Sequence, residues 1–248
     1  NMTSAKLGPK SGGGRLLTPI NRIIESEDVV RPPVFVRSLP LVQSVVAYRD
    51  SHVDVLTGLR FDAVPLVQAA EIPESERRLD ATLGHFGLIV RGDSGLLESP
   101  TARQAVAMAI DRPRMITGFG VDGWREMNSL SPRQLTARGD VPNYSWLPLN
   151  AQDRKRRAAQ DLAPMLGADS GLSVFIAARG PGADLLFAFL RADMADVGIT
   201  LSRAKAAEGA DLVLIDEVAD FDDPLWYLTR LSCARLPLCS KDGAALVE

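Results

Sequence analysis

The stretch from Leu172 to Leu201 reads LSVFIAARGPGADLLFAFLRADMADVGITL and holds one complete alternation of strand, helix and strand. Its first part, Leu172 to Ala177, is β-branched and aromatic, a strand signal. Gly180, Pro181 and Gly182 then punctuate the chain, because proline lacks an amide donor and glycine opens turn conformations. Leu186, Leu190, Met194 and Val197 recur along one helical face up to Gly198, and Ile199 to Leu201 starts another strand. Strands alternating with an amphipathic helix predict an α/β layer architecture.

The flanking sequence continues the alternation. Downstream, Leu212 to Ile215 is a buried strand and Pro224 to Leu231 a helix. Upstream, Arg154 to Leu166 reads as a helix closed by Gly167, with Pro164 interrupting it late. Ser99 is a good N-cap with Pro100 at the first helical position, and Ala102, Ala105, Val106, Ala109 and Ile110 mark one face of the helix that follows. Further upstream, Val34 to Val36, Val53 to Val55, Leu79 to Leu83 and Phe86 to Val90 read as extended segments, the last buried on both faces. Leu41, Val42, Val45 and Val46 mark a helix, as does Ala63 to Ala70. Residues 118–150 scatter Gly, Pro and Asn among Trp124, Tyr144 and Trp146 and predict a loop-rich insertion. Residues 1–30 predict an irregular lead-in, with Gly12 to Gly14 as a flexible linker, and 31–248 a single α/β lobe.

Composition narrows the function classes. The 248 residues are 46% hydrophobic and 24% charged, which excludes disorder for the bulk of the chain. A net charge of −3 offers no field to hold a phosphate polymer, so nucleic acid is not an expected partner. No apolar run approaches a membrane span, so direct membrane insertion is not expected either. Cys233 and Cys239 fit neither a zinc site nor a CxxC motif. They allow a short disulfide loop in an oxidising compartment. Asn1 to Gly14 contains no signal peptide, which predicts either a removed leader or an excised piece.

Few residues suggest chemistry. Gly92 to Gly95 spells GDSG, but Ser94 would need His52 or His85 as a base, and neither sits in a matching context. A turn between strand and helix explains the string, and no catalytic residue, metal or cofactor is expected. Arg154 to Arg157, flanked by Asp153 and Asp161, is a solvated helix face. Asp216, Glu217, Asp220, Asp222 and Asp223 crowd the link between a buried strand and a helix. Asp222 and Asp223 suit a helix N-terminus, whereas Asp220 lies nearer the strand end where α/β folds gather ligands. Tyr144, Trp146, Trp226 and Tyr227 offer flat faces with a polar edge for gripping a ligand.

Several of these segments together resemble the family 5 solute-binding proteins of peptide, nickel and oligosaccharide ABC importers. Ser99 to Arg112, SPTARQAVAMAIDR, resembles that family's VRQALAYAIDR helix. Val45 to Leu59, ending in HVDVLTGL, is similar to its helix and strand ending in GEVDV, and Arg91 stands where it tends to have Asn. RKRRAAQDLAPMLGA from Arg154 resembles its YDPEKAKALLAEAG helix, LRADMADVGITL from Leu190 its LQADLKKIGIKV. DLVLIDEVADFDDP, Asp211 to Pro224, matches the length of a stretch ending in ADYxDP, where peptide-binding members hold the ligand's α-amino group on the aspartate matching Asp220. The family's preceding glycine and tryptophan are Asp216 and Glu217 here.

The resemblance implies one lobe of a type II periplasmic binding protein-like fold, with a central mixed sheet flanked by helices. Family members are about twice as long, so a companion lobe is expected. It implies a non-enzymatic partner of a membrane permease, periplasmic or extracellular, binding a peptide-like or other small solute, with a cationic group accommodated. Asp220, Glu217 and Asp216 supply charge in that reading, and Trp226, Tyr227, Trp146 and Tyr144 supply walls. The alternative is a ligand-sensing or interaction domain of a larger regulatory protein.

Overall fold

In the computed structural model, the described residues are 5–11, 13–19, 33–80, 82–91, 95–129, 132, 135, 144–167, 170–229 and 233. They form two units, Asn1–Gly58 with Ala69–Ile72, and Leu59–Gln68 with Pro73–Glu248.

In the first unit, β1 (Ala5–Ser11), β2 (Gly14–Pro19) and β3 (Val34–Arg37) make an antiparallel sheet in that order. The residues read as an irregular lead-in therefore include a hairpin, and the glycine run contributes its turn. Gly13 takes φ of +80°, and a Cβ on Gly14 would collide with the Val36 carbonyl. Residues 20–32 lie outside the described residues. β3 exposes Val34, Phe35 and Val36, and α1 (Leu41–Arg49) buries Val45 but leaves Val42 and Val46 exposed. The expected strand at Val53 to Val55 is absent, since no neighbouring strand offers its backbone a ladder.

The second unit is built on a four-stranded mixed sheet in the order β4-β7-β5-β6, with β4 at Gly84–Val90, β5 at Gly171–Phe175, β6 at Thr200–Arg203 and β7 at Leu212–Val218. β5 runs parallel to both β6 and β7, while β4 is antiparallel to β7. β4 was expected to be buried on both faces, but it is an edge strand and half-exposed. Leu79 to Leu83 forms no strand among its described residues.

The helices are α2 (Val64–Ala69), shared between the units, then α3 (Pro100–Ala109), α4 (Arg112–Phe119), α5 (Ala151–Leu162), α6 (Pro181–Ala195) and α7 (Pro224–Leu228). Ser99 caps α3, accepting from the Ala102 amide at 3.4 Å, with Pro100 in the first turn. α7 ends at Leu228, short of the expected Leu231. Of the stretch 118–150 read as a loop-rich insertion, α4 takes in residues up to Phe119, and beyond it the described residues hold no strand or α-helix, with Leu135 in a tight turn closed by its amide on the Pro132 carbonyl at 3.0 Å.

Strand alternation assigns each sheet residue a face. Leu88, Val90, Leu172, Val174, Leu201, Leu212 and Leu214 share one, and it carries the core: α3, α5 and α6 deliver Ala102, Ala105, Val106, Leu162, Leu186, Leu190 and Met194 onto it. Asp193 lies fully buried in that layer. It accepts from Arg114 at 2.6 Å, Lys155 at 2.8 Å and the Asp111 amide at 3.0 Å, so α4, α5 and α6 are tied through one carboxylate.

Candidate functional site

The opposite face of the sheet is where side chains remain accessible. Ile89 and Arg91 at the end of β4 and Val213, Ile215 and Glu217 on β7 alternate onto it, and none belongs to the core cluster. They line a cleft of about 650 Å³, closed on one side by Arg60, Phe61 and Asp62 and by Ala177 and Ala178 after β5.

Backbone geometry creates this space. The β5–β7 ladder stops at Phe175 opposite Val213, so β7 continues towards Val218 paired on one side by β4 alone. Into the space left by β5 comes the turn at Phe61–Ala63. Its position depends on Gly182 in the first turn of α6, where a Cβ would collide with the Phe61 carbonyl. Arg60 follows from that placement. Its guanidinium donates to the Asp216 carbonyl and pairs with the Asp216 carboxylate at 2.8 Å, giving β7 a side-chain partner where β5 no longer supplies one.

Arg91 is held differently. Its amide donates to the Asp211 carbonyl at 2.9 Å. The Asp211 carboxylate in turn accepts from the Ser173 amide at 2.7 Å and the Ser173 hydroxyl at 2.8 Å. The Arg91 backbone therefore sits on a rigid junction of three strands. Phe61 meets Phe86 edge-on at 4.9 Å, with Phe119 and Trp124 completing an aromatic cluster behind the cleft wall.

The residues expected from sequence divide sharply. Asp216 and Glu217 line the cleft. Asp220 does not: its carboxylate accepts from the Trp226 indole at 3.3 Å. Trp226 and Tyr227 are only 4% and 1% exposed, so they pack rather than wall a ligand site. Burial raises the Tyr227 phenol above its ordinary range, the Asp222 charge adds to that, and the Gly84 amide opposes it. Tyr144 stacks on Trp146 at 4.3 Å, and Trp146 belongs to the core cluster. Both rings of α7, Trp226 and Tyr227, are buried from water although the helix is only five residues long, so they are not free to wall a ligand.

Asp223 caps α7 by accepting from the Leu225 amide at 2.7 Å, the dipole role expected of it. Gly92 to Ser94, of the GDSG string, lie outside the described residues. Among the described residues no group of three or more His, Cys, Asp or Glu is placed to hold a metal, and no helix is long and apolar enough to cross a membrane. Cys233 is disulfide-bonded, and Cys239 lies outside the described residues.

Sequence reasoning missed Arg60, Phe61 and Asp62. Arg60 precedes Asp216 by 156 positions and carries no local signal. Arg91 had one, its departure from the asparagine of the resembling pattern.

No protein-family model matches the sequence, and no curated protein does. Solved structures match it closely in shape. NikA from Brucella suis, in complex with Fe(III)-EDTA, superposes with a TM-score of 0.69 at 16% identity over 98% of this chain and 52% of its own. DppA from Helicobacter pylori, an ABC transporter-associated periplasmic binding protein in complex with the peptide STSA, gives 0.67 at 17% over 98% and 50%. OppA from Burkholderia pseudomallei gives 0.68 at 14% over 98% and 49%. The chain thus spans about half the length of the binding proteins it matches. The resemblance to family 5 solute-binding proteins holds at the level of the fold, and with it the α/β binding-protein architecture.

Proposed function

We propose that the chain is a non-enzymatic solute-binding lobe of an ABC import system, working outside the cytoplasmic membrane and passing its solute to a permease. The observation that carries this reading is the cleft along β7. It is an accessible, partly apolar space with charged groups converging on it, in a chain that folds as half of a binding protein. Small-solute sites have this make-up, apolar walls with a few placed polar groups.

Asp216 and Glu217 are retained as ligand-facing residues. Ile89, Val213 and Ile215 take the wall role that sequence gave to Trp226, Tyr227, Trp146 and Tyr144, with the buried Phe61 ring packed behind them. A peptide-like solute suits this cleft, because its backbone can follow a strand whose far side is unpaired and its termini can meet charges of both signs. A companion lobe would close over it by hinge motion.

Thermal unfolding in the presence of di- to tetrapeptides, sugars and metal chelates tests the proposal. A ligand at a hundredfold its Kd is expected to raise Tm by roughly 5–10 °C. No shift with any of them, despite cooperative unfolding, overturns it.

A further inference from the structure

Among the described residues, two cations line the cleft, with different surroundings. Arg60 is engaged twice by Asp216, through carbonyl and carboxylate. Arg91 lines the same cleft and has no carboxylate partner among the described residues. Its backbone is fixed by the Asp211–Ser173 network, so its guanidinium works from a rigid base at the strand end.

The two arginines therefore divide the charge of the cleft. Asp216, which sequence offered as a holder of a cationic group, already has its counter-ion. Among the described lining residues, the cation left over for a ligand is Arg91, whose planar fork matches a carboxylate with two parallel hydrogen bonds. We propose that Arg91 is the anchor for a carboxylate on the bound solute, and that Arg60 sets this preference by occupying Asp216. This rests on the cleft being the solute site. Discrimination follows from chemistry: a neutral amide in place of the carboxylate loses the charge-assisted bonds, and a ligand ammonium competes with Arg60 for Asp216.

The test is a titration of the full chain followed through its amide and arginine side-chain nitrogen–proton resonances, a readout that registers millimolar binding. The probes are tri-alanine and tri-alanine amide, which differ only at the C-terminal group. Tri-alanine is expected to shift Arg91, Val213 and Ile215 and to bind about tenfold more tightly than the amide. Arg91→Gln is expected to remove that preference, and Arg91→Lys to restore part of it through charge alone. Arg60→Gln frees Asp216 and is expected to raise affinity for the cationic amide several-fold. Unchanged spectra away from β4 in the Arg91 variants show that the fold is kept.

Equal binding of acid and amide, or a preference that survives Arg91→Gln, overturns the anchor. Unchanged amide affinity in Arg60→Gln overturns the role of Arg60. If neither probe binds the unaltered chain, the solute-site reading itself falls and takes the anchor with it.

Discussion

The two faces of the four-stranded sheet have the same strands and opposite fates. On one, Leu88, Val90, Leu172, Val174, Leu212 and Leu214 lie under α3, α5 and α6. On the other, one residue further along, Ile89, Val213 and Ile215 stay half-exposed beside Arg91 and Glu217. Period-two alternation sets this division, since a one-residue slip would exchange the two sets; it loosens only where β5 no longer pairs with β7, and there Leu214 and Asp216 reach the cleft as well. The packed face stabilises, and the accessible face is left to recognise. Substitutions on the two should separate accordingly.

The largest effect is expected at Asp193. Replacing it with Ala removes the fully buried acceptor shared by Arg114, Lys155 and the Asp111 amide, leaving Lys155 with Asp196 alone. Breaking such a buried network costs about 3–5 kcal/mol, read as a lower midpoint in urea unfolding. If Asp193→Ala unfolds at the same urea concentration, the carboxylate does not tie the helices.

Two positions on β7, three residues apart and therefore on opposite faces, compare the faces directly. Leu212→Ala empties a site 3% exposed and is expected to cost about 2–5 kcal/mol. Ile215→Ala, half-exposed in the cleft, is expected to cost about 1 kcal/mol or less while weakening ligand binding. Equal costs at the two positions would mean that the cleft face is packed as well.

The packed face was largely legible in the sequence, because its signals are local. Ser99 and Pro100 announced α3, and Leu186, Leu190 and Met194 drew the buried stripe of α6. Asp193, next to Met194 of that stripe, was not singled out, because a lone acid on a helix reads as solvated until the fold buries it. It joins two of the segments that carried the family resemblance, Ser99 to Arg112 and Leu190 to Leu201.

The accessible face was not legible in the same way. Arg60 meets Asp216 across 156 positions, and Phe61 reaches its place only because Gly182 leaves room in another element. Trp226 and Tyr227 looked like ligand walls because an aromatic's dual character does not say which end wins. β1 and β2 were hidden by their lysines, prolines and glycines, and they become strands only through pairing, β1 with β2 and β2 with β3.

A smaller effect is expected at the helix start that sequence read most directly. Ser99→Ala removes the acceptor for the Ala102 amide and should cost about 1 kcal/mol, with Ser99→Gly costing only a few tenths. The order matters more than the size. If Gly is as damaging as Ala, the hydroxyl is not what starts α3.

The smallest effect is a slope at alkaline pH. Burial pulls the Lys155 ammonium down, but hydrogen bonds and charges from Asp193 and Asp196 outweigh it and raise its pKa above the ordinary 10.5. A group whose folded pKa is raised binds its proton more tightly folded than unfolded. Its contribution is therefore complete below about pH 10 and is lost as pH climbs through the folded value. Tyr227, raised above 10.0 by burial, adds a loss of the same sign in the same range. Half of the Lys155 arrangement faces Asp196, which is 54% exposed and screened by water, so the slope should be shallow. Urea midpoints measured from pH 8 upward for the unaltered chain and Lys155→Met are expected to converge as the pH rises above about 10. Curves that stay parallel would assign the alkaline loss to Tyr227 and leave Lys155 a packing role beneath the sheet.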